Sequence, residues 1–172
     1  MRRLWECKDW SRYVSSDCRT GIRMRFDKNV YPEVKRACKE YVCWLREYYE
    51  FPMRVPIYFK ASKQLKKQTT GETCSATFLG PFDLHEEPYI RIAVGDYEDL
   101  LRERFHGDIQ EVKDNALAAI LCSIAHELSH YFQWIKDHEA WCELEDHTKY
   151  ERQAVYYARE IVRDYADVVN HP

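Results

Sequence analysis

The sequence predicts an α+β fold in one domain of 172 residues. Three observations predict it. Stretches with strand-like alternation or composition gather in the first half. Apolar residues recur with the 3.6-residue helical period in 32–50 and again in the last helix. Between them runs an uncharged helical stretch, Ala116 to Ala125, with no linker, repeat or low-complexity segment anywhere in the chain. The layout is strands with one helix, then two helices, which makes a small mixed sheet packed on an N-terminal helix.

The elements follow in order. Residues 1–18 show no periodicity. Ile22, Met24 and Phe26 alternate with Gly21, Arg23 and Arg25, the pattern of a half-buried strand. Pro32 suits the first turn of a helix. Val34, Ala37, Cys38, Tyr41, Val42, Leu45, Tyr48 and Tyr49 keep its apolar face through residue 50. Pro52 and Pro56 end it. Val55 to Lys60 reads as a short strand, and the polar Lys60 to Thr70 as a loop or short exposed helix. Cys74 to Leu79 is a further strand, closed by the turn pair Gly80-Pro81. Tyr89 to Val94 is the strongest strand and stops at Gly95-Asp96. A short helix is expected over Tyr97 to Arg104. A long one follows from about Ile109 to Ile135, buried because its middle is uncharged. Residues 136–147 form a polar, acidic connection anchored by Trp141. The last helix runs from about Thr148 to Val169, with Glu151, Ala154, Val155, Ala158, Val162 and Tyr165 on one stripe.

Composition narrows the class. Hydrophobic residues make up 45% and aromatics 15%, enough for a core and too many for a disordered chain. Five Gly and six Pro exclude a collagen-like chain. Net charge is -3, so no whole-chain basic footprint for nucleic acid exists. No apolar run approaches the ~18–20 residues that span a bilayer. Met1-Arg2-Arg3 begins basic with no apolar segment behind it, unlike a secretory signal. The seven cysteines are odd in number and form no C-x-x-C pair. They are expected as ordinary thiols in a reducing compartment, and the protein as soluble and cytoplasmic, without a membrane partner.

His126-Glu127-Leu128-Ser129-His130 carries the chemistry. Residues four apart share a helix face, so His126 and His130 project together and can bind one zinc ion. Glu127 is turned about 100° from His126. That places it beside the open coordination position, where it can take a proton from water. Catalytic zinc usually has three protein ligands, so a third is needed. A histidine six residues after His130 would serve, but Lys136 stands there. Glu151 is the better candidate, a carboxylate heading an otherwise apolar stripe. Glu139, Glu143, His138 and His147, in the polar connection, are its rivals.

This motif, followed by Glu151-Arg152-Gln153-Ala154-Val155-Tyr156-Tyr157-Ala158, resembles the zincin metallopeptidases with a glutamate ligand. It is most similar to the ImmA/IrrE-type group, whose later helix carries Glu-x-x-Ala-x-x-aromatic-Ala. The resemblance covers about residues 109–165. It implies a zincin-like fold, with His126, His130 and Glu151 as zinc ligands and Glu127 as general base. It also implies an endopeptidase acting on a protein or peptide, not on nucleic acid. Two positions depart from the pattern. Ser129 stands where the group often has Gly, and Val155 where thermolysin-type enzymes place an Asp behind a ligand histidine. The partner behind the ligand histidine is left open, with a backbone carbonyl as one option.

His147, Tyr150, Tyr156 and Tyr157 are candidates for stabilising the oxyanion. Tyr89–Val94 fits either the edge strand that pairs with an extended substrate or a plain core strand. Lys60, Lys63, Lys66 and Lys67 read as a solvated loop, with an acidic partner or nucleic acid as the other reading. Glu139, Glu143, Glu145 and Asp146 read as a solvated connection. Two rival functions share the motif helix. One is a SprT-like protease acting on DNA-associated proteins, whose C-x-x-C ribbon and basic surface are missing here. The other is a non-catalytic module that keeps zinc for regulation.

Overall fold

The computed structural model describes residues 4–103, 107–170 and 172. The predicted helix end at Arg104 and the basic start at Met1-Arg2-Arg3 lie outside them. The described residues form a mixed α+β domain. Its strands are β1 (Ile22–Phe26), β2 (Val55–Lys60), β3 (Leu65–Lys66), β4 (Thr73–Cys74), β5 (Ala76–Leu79) and β6 (Tyr89–Ala93). Its helices are α1 (Pro32–Tyr48), α2 (Tyr97–Glu103), α3 (Ile109–Lys136), α4 (His138–Glu143) and α5 (Thr148–Ala166).

The main sheet has the order β1-β2-β6-β5. β1, β2 and β6 run parallel and β5 antiparallel, in the register Ile22↔Val55, Ile57↔Ile90 and Phe78↔Ile90. Alternation explains the two faces. Ile57, Phe59, Ile90 and Ile92 are buried, while Tyr58 between them is exposed. α1 buries Val34, Ala37, Cys38, Tyr41, Val42 and Leu45, the stripe that its sequence period predicts.

Four expectations change. Residues 60–70 hold neither a helix nor a plain loop. β3 and β4 pair there as a small antiparallel hairpin. The strand expected from Cys74 breaks at Ser75, so β4 and β5 belong to different sheets. The connection 136–147 contains α4. Tyr89–Val94 is not the edge strand either. β6 is paired on both sides, and the sheet ends at β5. Its neighbours are β2, parallel, and β5, antiparallel, and alternation within one strand does not specify which strands pair with it.

α3 is the axis of the domain. Asp108 caps it, accepting the Gln110 N–H at 3.0 Å. It packs along α5 and touches α1, β5 and β6. From Glu127 to Ile135 every residue is buried. Each fully buried Leu, Ile or Phe there contributes about 1.5–3 kcal/mol. The N-terminal residues, silent in the sequence, form two 3-10 turns, Leu4–Glu6 and Trp10–Arg12. Trp5 and Trp10 both pack on Phe132 of α3, and the Trp5 indole N–H donates to Ser129 Oγ at 3.0 Å. The chain start therefore braces the motif helix from behind. Gly95 permits another close approach, since a Cβ there would lie 2.1 Å from the Ala61 carbonyl oxygen.

Candidate metal centre

His126 and His130 stand one turn apart on α3, and Glu151 faces them from the first turn of α5. His126 Nε2 and His130 Nε2 are 3.1 Å apart. Glu151 Oε2 lies 3.2 Å from His126 Nε2, and Oε1 3.3 Å from His130 Nε2. Among the described residues this is the one set of three or more His, Cys, Asp or Glu donors so gathered. Donor atoms at this spacing need protons on the imidazoles or a cation among them to offset their repulsion. The spacing also fits zinc. Ligand bonds of about 2.0–2.1 Å in a tetrahedron put neighbouring donor atoms about 3.3 Å apart.

Each group is tuned by its surroundings. The His130 side chain is 6% exposed, that of His126 23% and that of Glu151 56%. Hydrogen bonds from His126 and then His130 hold the Glu151 carboxyl far below the usual carboxylate range. Burial disfavours a charged His130, but the bond to Glu151, the nearby Glu127 and Gln133 outweigh it and raise its pKa. Glu127 is buried, and that burial pushes its pKa up against the pull of His130 and His126.

The support behind His130 is a side chain, not a backbone carbonyl. His130 Nδ1 lies 2.8 Å from Gln133 Oε1. Gln133 Nε2 donates to the Tyr150 carbonyl at 3.1 Å and to Gln153 Oε1 at 2.8 Å. A carbonyl only accepts, so the amide orientation is set and its oxygen faces the imidazole. Nδ1 must then carry the proton of the neutral imidazole, which leaves the Nε2 lone pair for a metal, while in the charged imidazole Nε2–H donates to Glu151. Gln133 also ties α3 to the α5 turn that bears Glu151. The sequence held one signal for it. Gln133 is the single polar residue in the apolar run Tyr131–Ile135, three places after His130 on the same face.

The rival ligands stay outside. His138 Nε2 sits 3.3 Å from the Pro81 carbonyl oxygen and 3.6 Å from Cys142 Sγ. Glu139 and Glu143 are exposed on α4. His147 packs on Trp141, whose ring also contacts His130.

A cleft of about 930 Å³ opens over the centre. β5, Trp141, His147 and Glu127 line it. Of the four oxyanion candidates only His147 is among its lining residues. The Tyr150 hydroxyl donates to Asp137 Oδ2, the Tyr157 hydroxyl accepts the Leu4 N–H, and Tyr156 is exposed. Val155 lines the cleft and is 40% exposed, so the buried stripe of α5 runs instead through Ala154, Tyr157, Ala158, Ile161 and Tyr165. Gly80 closes β5, where a Cβ would lie 2.5 Å from Trp134 Cδ1. No helix among the described residues is long and apolar enough to cross a membrane. No family model, curated protein or solved structure matches this chain.

Proposed function

We propose that this protein is a zinc-dependent endopeptidase of the zincin kind. The observation that carries the reading is the convergence of His126 Nε2, His130 Nε2 and the Glu151 carboxylate beside a buried Glu127 in an open cleft. His126, His130 and Glu151 would hold the metal. When bound, zinc polarises a scissile carbonyl and makes water acidic enough to attack near neutral pH.

The chain's own residues supply the rest. Glu127 accepts the proton of the attacking water and delivers it to the leaving amine. Its raised pKa suits a group that must first take and then give a proton. His147, one turn before Glu151, donates to the developing oxyanion. β5, at the end of the sheet, pairs through its free backbone edge with an extended segment of substrate. A structural zinc site has no use for a general base, so Glu127 favours catalysis over storage of the metal. All seven cysteines are free, which suits a reducing compartment such as the cytoplasm.

The test is zinc content and cleavage, measured on three proteins purified without added metal. Wild type is expected to hold about one zinc per chain, the count of a single three-ligand site. Glu151→Ala should lose it. Glu127→Gln should keep it yet lose about 10²–10⁴-fold in cleavage of a peptide library. A wild type without zinc even after dialysis against it overturns the reading.

A further inference from the structure

We propose that the cleft selects acidic peptide segments, held by Lys67 and Arg91 beside β5 and by Arg159 on α5. Their cleavage, though not their binding, rests on the endopeptidase reading.

The charges are distributed unevenly. The chain as a whole is net acidic, at -3. Yet apart from Glu127 and Glu151, every Asp, Glu, Lys or Arg that lines the cleft is a cation: Lys67, Arg91 and Arg159. None of the three forms an ion pair with a described residue. Cations elsewhere commonly do. Lys60 pairs with Asp27 at 3.0 Å, Lys63 with Asp99 at 2.7 Å and Arg54 with Glu87 at 2.8 Å. A zinc ion cancels the charges of Glu127 and Glu151, so the three cations set the sign that a substrate meets.

Arg91 adds an independent observation. Its register partner on β5 is Thr77, which places it beside the edge strand. Its Nη2 donates to the Lys66 carbonyl at 3.1 Å, which brings the β3–β4 hairpin and Lys67 next to it. Its Nε is buried and has no hydrogen-bond partner. The guanidinium thus has donors to spare beyond its bond to Lys66, and an anion entering the cleft can take them. Burial of the Arg91 stem also keeps this cation in place before any ligand arrives.

Arg159 marks a second position. It follows Glu151 by eight residues on α5, about 12 Å along the axis. Cys122, one turn before His126, donates to the Ala158 carbonyl and fixes that stretch of α5 against α3. An extended chain advances about 3.3 Å per residue, so Arg159 reaches a side chain three or four residues from the bond at the metal. Arg91, in register with Thr77 of β5, and Lys67 line the same cleft. Three cations lining one cleft match a peptide with several carboxylates. A nucleic acid would need a longer basic track and stacking rings on it.

The test uses the full zinc-loaded chain carrying Glu127→Gln, so that peptide is bound and not consumed. Fluorescein-labelled peptides that differ only in Glu against Gln are titrated by anisotropy, with an oligothymidylate beside them. Glu peptides are expected to bind about tenfold tighter for each pair formed away from bulk water, with the gap closing as salt rises. Lys67→Gln and Arg159→Gln together, both on exposed side chains, should bring Glu and Gln peptides close to one another. Arg91→Gln should do more, and Arg91→Lys should restore part of it if the hairpin stays folded by circular dichroism. Equal affinities, or a preference that survives the substitutions, overturn the inference. So does an oligothymidylate that binds tighter than the Glu peptides. Cleavage by the protein with native Glu127 separates the two readings. Cut sites without acidic neighbours overturn this inference alone, whereas charge-selective binding with no cleavage overturns the endopeptidase reading alone.

Discussion

Gln133 Oε1 accepts the Nδ1 proton of His130 at 2.8 Å while its amide nitrogen holds the Tyr150 carbonyl one residue before Glu151. One side chain thus sets the tautomer of a candidate ligand histidine and ties together the two helices that carry the candidate donors. Gln133→Leu keeps the volume and removes its bonds to His130, Tyr150 and Gln153. It is expected to weaken zinc binding about 10–100-fold, the usual cost of losing such a partner. Competition with a chromogenic chelator reads this directly. Unchanged affinity would show that packing alone orients His130.

Metal binding should stabilise the fold, because the three donors come together only in the folded chain. Zinc at about 100 times its Kd adds about 2.7 kcal/mol, which appears as a rise in Tm. A chelator should reverse the rise. Glu151→Ala should show almost none of it by scanning fluorimetry.

The pH dependence runs in two directions. His130 has a raised pKa, so its pair with Glu151 stabilises the metal-free protein fully below the unfolded histidine's value. That contribution is lost as pH rises through the folded value. Glu151 has a lowered pKa, so its share is present above the unfolded carboxyl value and lost as pH falls through the folded one. The stability gap between metal-free wild type and metal-free Glu151→Gln should therefore be widest between the carboxyl and histidine ranges. It should narrow as pH rises above about 6.5, the unfolded histidine's value. Zinc needs the neutral imidazole, so the zinc-induced rise in Tm should widen over the same interval. Urea titrations with and without metal test both trends.

Tyr131 is fully buried, and its hydroxyl donates to the Met53 carbonyl and accepts the Met53 N–H. Tyr131→Phe leaves both backbone groups without a partner, at a cost of about 1–3 kcal/mol in urea unfolding. Zinc affinity should hold, since these bonds lie behind α3 and away from the donors.

Trp5 tests the brace formed by the chain start. It is 1% exposed, packs on Tyr49, Phe51 and Phe132, and bonds Ser129 inside the motif. Trp5→Ala should destabilise by about 3–5 kcal/mol. Trp5→Phe should retain most of the packing and lose chiefly the bond to Ser129.

Much of this protein is written in local pattern. The four-residue spacing of His126 and His130 puts both on one face of any helix they join. The helical period places Glu151 in the first turn of the helix that follows. The strands around Ile22, Ile57 and Ile90 are legible because alternation names the face that must be buried. These readings need only the geometry of one element. What lay hidden needs two elements that meet. β6 reads as the best strand, yet pairing on both its sides makes β5 the edge. Trp5 and Trp10 show no period, because they pack on Phe132 more than a hundred residues away. Gln133 is visible as an odd polar residue, but its partners Tyr150 and Gln153 sit on another helix. Lys67, Arg91 and Arg159 are three scattered cations until the sheet, hairpin and α5 close on one cleft. Period and spacing act along a single backbone, whereas pairing, bracing and charge convergence arise only when distant segments share a core.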